Sequence, residues 1–183
     1  KITAGSRFVA NNFSHPLRIA RKLYRSLSPT RVSSQSMPQT PPMRVQSVVE
    51  KINTTFTHKR AMVLDLPRWE LIQAYFAADL FVFASHVEYS PLVLFESAAA
   101  GTPFLSSRAG NAEEIVSWLR GGFIFEDEAD SQGFKIIDPQ LLADEISILI
   151  NQRELLVANG KQLRESWRQG YTWNQIAKRY EDV

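Results

Sequence analysis

Residues 61–183 predict an α/β domain in which a parallel sheet is flanked by helices. The apolar runs in this stretch are short and do not alternate with polar residues, as strands must be when helices cover both faces of a sheet. Segments with helical periodicity separate them, the mark of successive βαβ units. Asp or Ser followed by Pro recurs where helices should open. The composition agrees: of 183 residues, 44 % are hydrophobic and 22 % charged, which excludes collagen-like, coiled-coil and wholly disordered chains.

Ala61–Leu64, Leu80–Ala84, Pro103–Ser106 and Gly122–Phe125 are the expected strands. A helix opens at Pro67, whose missing N–H is harmless in a first turn, and Trp69, Ile72 and Phe76 recur at i, i+3 and i+7 as its buried stripe. Ser90 as N-cap and Pro91 at the first helical position open a second helix, which runs through Ala98-Ala99-Ala100 to Gly101 as its stop. Asn111–Leu119 forms the third. Asp138-Pro139 opens another, carrying Leu142, Ile146 and Leu149, and Thr172 with Gln175 makes a capping box before a last helix, Trp173–Tyr180. Trp118, Trp167 and Trp173 at helical positions read as packing residues.

Residues 1–60 differ in kind. They carry eleven Lys or Arg against one acid, Glu50, whereas residues 61–183 carry ten against eighteen, so the formal net charge of +2 conceals a block of +10 and one of −8. Pro16–Leu27 is a basic amphipathic stretch, and the Ser/Pro-rich segment 26–48 has fifteen Ser, Thr, Pro or Gln among twenty-three residues, the composition of a loop. The division is therefore 1–60, a basic segment belonging to or inserted in the domain, and 61–183, the α/β domain. The basic block is either a face for an anionic membrane, giving peripheral association, or a surface for another domain. Nucleic acid is not expected, because no zinc-finger spacing, heptad array or aromatic RNA-binding signature organises the cations. The sequons at Asn12 and Asn53 lack an accompanying secretory signal. With no cysteine and no apolar run near the ~20 residues of a membrane helix, the expected location is the cytoplasm. The chain opens on Lys1 and is expected to be part of a longer polypeptide.

In open α/β sheets ligands sit at the carboxyl ends of the strands. Two loops occupy that place: Ser85-His86-Val87-Glu88-Tyr89, and Ser107-Arg108-Ala109-Gly110. Both lead into helix N-termini, whose free N–H groups and partial positive charge suit a phosphate. His86 is a candidate for sugar or phosphate, or a plain surface histidine; Arg108 is a candidate for a diphosphate, or an exposed salt bridge. Glu96 is the odd residue in the apolar run PLVLFESAAA, and its carboxylate needs either a diol such as a ribose, or a cation and partial exposure.

The stretch 78–116, ADLFVFASHVEYSPLVLFESAAAGTPFLSSRAGNAEEIV, resembles the nucleotide-binding half of family 4 (group 1) retaining glycosyltransferases of the GT-B fold. A strand of the type ADLFVFAS, Glu88 and Glu96 seven residues apart, the Gly101-Thr102-Pro103 turn, and Gly110 with Glu114-Ile115-Val116 follow in the family's order and spacing. The resemblance implies a Rossmann-like domain, the C-terminal half of a GT-B fold, binding a nucleotide-diphosphate sugar. Glu96 would accept from the ribose hydroxyls, and Glu88 would lie at the donor hexose as the catalytic carboxylate. Tyr89, Ser90, Pro91, Leu92 and Val93 would line the hexose and diphosphate, the amides among them donating; His86 and Arg108 lie outside the motif and are candidates by their loop positions alone. It further implies no metal, no cofactor beyond the donor substrate, and an N-terminal acceptor domain as partner, without which residues 1–183 do not turn over. Tyr89 stands where the family usually has Gly, Ala84 where it has Pro, and Asn111 where it has a second Gly; no clear match to its diphosphate-gripping basic pair precedes Ala61, where Arg7 and Lys22 are the candidates for its remnants.

Two further readings stay open: a nucleotide-sugar epimerase of the same architecture, and a module that binds nucleotide sugar without chemistry. A dinucleotide-dependent oxidoreductase is not expected, since none of the eight glycines forms G-x-G-x-x-G after a strand.

Overall fold

The computed structural model describes the backbone of residues 8–11 and 43–182 and the side chains from Val45 onward. The stretch Pro16–Leu27, Arg7 and Lys22 lie outside the described residues. The chain divides into two compact units, Lys1–Pro67 and Arg68–Val183.

In the first unit, β1 (Phe8–Asn11) and β2 (Lys59–Met62) form an antiparallel pair with Phe8 opposite Met62. Helix α1 spans Met43–Thr55, so residues 43–48, read from composition as loop, are helical. Asn53 fixes β2 to this helix: its amide donates to the Ala61 carbonyl at 2.9 Å and its oxygen accepts from the Ala61 N–H at 2.8 Å. The strand expected at Ala61–Leu64 therefore lies two residues earlier and belongs to an antiparallel pair. Local sequence could not reveal this, because the partner strand lies some fifty residues away.

In the second unit, three parallel strands in the order β3 (Phe81–Phe83), β4 (Phe104–Ser106) and β5 (Phe123–Ile124) form the sheet. Phe81 pairs with Phe104 and Leu105 with Phe123. Helices α2 (Arg68–Ala77), α3 (Leu92–Ala100) and α4 (Ala112–Leu119) alternate with the strands. An antiparallel hairpin, β6 (Glu128–Ala129) and β7 (Lys135–Ile136), follows, then α5 (Pro139–Ile150), α6 (Arg153–Gly170) and α7 (Trp173–Glu181).

The central strand β4 is buried along its whole length. Consecutive strand side chains point to opposite faces. Leu105 thus joins a cluster with Phe125, Leu149 and Leu156, while Phe104 is fully buried on the other face, so both sides of the sheet are covered. Burial of such side chains contributes roughly 1.5–3 kcal/mol each. The caps are mostly those expected. Asp138 accepts from the N–H groups of Gln140 and Leu141 with Pro139 following it, and the Thr172–Gln175 capping box is complete. Gly101 ends α3 in the left-handed conformation.

Three expectations are corrected. The N-cap of α3 is Pro91, not Ser90, and no side chain caps it, because the chain turns one residue later. The stripe Trp69, Ile72 and Phe76 of α2 is exposed, at 64 %, 39 % and 51 %, and the residue that α2 buries is Tyr75, edge-on to Phe81. Periodicity defined a face there but not what would cover it. Trp118 and Trp173 are exposed as well; Trp118 stacks on Tyr171.

Candidate functional site

The loops after β3, β4 and β5 meet at the carboxyl edge of the sheet. Ser107 ties the second to the first, its N–H donating to the Phe83 carbonyl at 3.1 Å and its buried hydroxyl to the Ser85 carbonyl at 2.7 Å. One step on, the Asn111 N–H donates to the Tyr89 carbonyl at 3.1 Å. These bonds fix the backbone that leads into α3. Pro91 has no N–H, and the first helical residues Leu92 and Val93 have N–H groups that helix geometry leaves without an intrahelical acceptor. Tyr89 is 93 % exposed and Leu92 is exposed, so the entrance to α3 is open.

Glu96 lies in the second turn of α3, half-buried, 2.7 Å from the Arg68 guanidinium, which sits at the start of α2. The Tyr75 phenol stands beside it. Burial first, and then the charge of the Glu96 carboxylate, push the phenol well above its ordinary range, while Arg68 acts in the opposite sense. Tyr75 therefore stays a neutral phenol at ordinary pH. Glu96 is thus a carboxylate paired with a cation and partly exposed, as the ion-pair reading of the sequence has it.

Glu88 is half-buried and engages no partner among the described residues. His86 is exposed, with Nδ1 2.6 Å from the Lys135 carbonyl. A carbonyl only accepts, so Nδ1 carries the proton and Nε2 is the nitrogen open to a ligand. Arg108 meets Glu126 at 3.0 Å and Glu113 at 3.6 Å, so its guanidinium is already paired with two exposed carboxylates. Ser90 is exposed and Val93 half-buried. Sequence reasoning missed Arg68 and Tyr75 around Glu96, and Asp127 and Lys135 behind the loops; none lies in a motif, and only the tertiary fold brings them in. Among the described residues no group of three or more His, Asp or Glu could hold a metal ion, and no helix is long and apolar enough to cross a membrane.

This fold recurs in solved glycosyltransferases. Sucrose-phosphate synthase from Thermosynechococcus elongatus superimposes with a TM-score of 0.64 at 24 % identity, over 80 % of this chain and 35 % of that one. The C-terminal domain of a group 1 glycosyl transferase from Francisella tularensis does so with 0.58 at 21 % identity, over 73 % and 66 %. The second unit is therefore an α/β domain of the kind found in GT-B glycosyltransferases. The profile of the group 1 glycosyl transferases matches residues 51–163, and the chain belongs to that family. Similar curated proteins include D-inositol 3-phosphate glycosyltransferase of Corynebacterium efficiens, 30 % identical over 120 residues, which are 65 % of this chain and 26 % of that protein. A sulfoquinovosyl transferase of Arabidopsis thaliana is 32 % identical over 107 residues, 57 % and 19 % respectively. The chain thus spans about a quarter or less of these relatives.

Proposed function

We propose that the second unit binds the nucleotide-diphosphate sugar of a retaining glycosyltransferase. The observation that carries this reading is Glu96: a half-buried carboxylate, paired with Arg68, in the second turn of the helix whose open N-terminus follows the Glu88 loop. Glu96 accepts from the two ribose hydroxyls. The diphosphate lies at the start of α3, where the N–H groups of Leu92 and Val93 and the positive end of the helix dipole oppose its charge. Leaving-group stabilisation by these fixed dipoles, which strengthens as the sugar–oxygen bond breaks, lowers the barrier. Glu88 faces the hexose, with Tyr89, Ser90, Pro91 and His86 around it; Arg108 reaches the diphosphate by exchanging a glutamate for a phosphate oxygen. No metal or further cofactor is required, as fixed protein dipoles take the cation's place.

Calorimetric titration of UDP, GDP and ADP and their sugar conjugates into residues 1–183 tests the reading. One nucleotide should bind saturably, and Glu96→Gln should weaken it about tenfold or more, the value of hydrogen bonds to a charged group. Undiminished binding by the variant would remove Glu96 from the site. Transfer needs an acceptor-binding N-terminal half as partner, so these residues alone should show no turnover; a measurable transfer rate from them would overturn that part. Whether that partner or an anionic membrane meets the basic residues 1–60 is decided by vesicle binding at varied salt.

A further inference from the structure

Behind the loops lies a carboxylate that no motif singles out. Asp127 follows β5, and its side chain is 0 % exposed. Its Oδ2 accepts the Arg108 N–H at 2.7 Å, and its Oδ1 lies 2.9 Å from the Lys135 ammonium, an ionic contact without hydrogen-bond alignment. Lys135, itself only 21 % exposed, is the first residue of β7. Its main chain then holds one residue of the loop after β3, His86, by two bonds: its N–H donates to the His86 carbonyl at 2.9 Å, and its own carbonyl accepts from His86 Nδ1 at 2.6 Å. One buried carboxylate thereby fixes the loop after β4 directly and the loop that carries Glu88 through the hairpin.

A buried ion pair is a poor device for stability, since desolvation offsets most of its attraction, whereas it does fix geometry. We infer that Asp127 and Lys135 form a strut that positions the Ser85–Tyr89 loop, and the Glu88 carboxylate on it, against the sugar-diphosphate end of the ligand. The inference rests on the donor-site reading above. The strut contains none of the groups around Glu96, so its loss separates the two ends of the ligand.

Asp127→Asn in residues 1–183 is the test; it keeps the size of the side chain and an acceptor for the Arg108 N–H. Amide exchange is measured at residue 135 and at Asn111, and at Leu163 in α6 as a reference for the fold. Affinities are measured for UMP, GMP and AMP and for UDP-glucose, GDP-mannose and ADP-glucose. The strut predicts exchange roughly tenfold faster at 135 and 111 with Leu163 unchanged, as for local rather than global opening. It also predicts nucleotide-sugar affinity about tenfold lower with nucleoside monophosphate affinity retained, the cost of misplacing one group of a site. Lys135→Met should repeat the pattern from the other end. Unchanged exchange at 135 and 111, or equal acceleration at Leu163, overturns the strut. If no nucleotide or nucleotide sugar binds the parent chain, the donor-site reading has failed, and the exchange measurement alone still decides whether the strut exists.

Discussion

Gly160→Ala is expected to destabilise the domain, although alanine is the better helix former by about 1 kcal/mol. Gly160 lies within α6, buried, and a Cβ there would stand 2.2 Å from the Gly101 carbonyl oxygen and 3.3 Å from the Pro103 ring. The oxygen cannot retreat cheaply. Gly101 is the left-handed cap of α3, its N–H donating to Ala98, and the next N–H, of Thr102, donates to Ser97. Overpacking against backbone outweighs the gain in propensity and leaves a net loss of about 2 kcal/mol. For a unit of this size the melting temperature should fall by roughly 8 °C. Thermal unfolding followed by circular dichroism measures it; an unchanged or raised midpoint, the sign propensity alone predicts, would show that α3 and α6 are not held at this approach.

Gly110→Ala should instead strike the site. Gly110 has φ +61°, and a Cβ there would meet the Tyr89 carbonyl oxygen at 2.5 Å and that of Glu88 at 2.8 Å. An L-residue in this conformation costs about 1–2 kcal/mol before any collision. Both obstacles are main-chain atoms of the loop that carries Glu88, so that loop must move and the bond from Asn111 to Tyr89 opens. The strain alone should lower the melting temperature by roughly 4–8 °C on the scale used for Gly160, and nucleotide-sugar affinity should drop at least about tenfold. Full affinity in the alanine variant would mean that the clasp between the loops does not shape the site.

What could be read in advance follows the range of the forces. The stop at Gly101, the Asp138-Pro139 opening and the Thr172–Gln175 box are local, set by residues within four positions of one another, and the structure has them. The parallel pairing of β3, β4 and β5 was legible, though not their order, because buried strands leave no polar side. The Glu88–Glu96 spacing drew attention to one loop and one helix, yet the residues that pair with them did not show: Arg68 is twenty-eight positions from Glu96, and Asp127 nineteen from Arg108. The hairpin was invisible because strands of two residues carry no period. The exposed stripe of α2 shows the reverse failure, where a clear period marked a face that the described fold leaves uncovered.

The hairpin tip offers an experimental handle. Ser131, Gln132 and Gly133 are exposed, and open space surrounds Gly133. The base of the same hairpin is bonded through Lys135 to His86 in the loop that carries Glu88. As the chain has no cysteine, a single thiol introduced at Gln132 would be the sole attachment point for a fluorophore. The dye would sit clear of the Glu88 loop it is meant to report on, and the hairpin that carries it is joined to that loop by two hydrogen bonds at His86, so that occupancy of the loop could be followed as a change in emission.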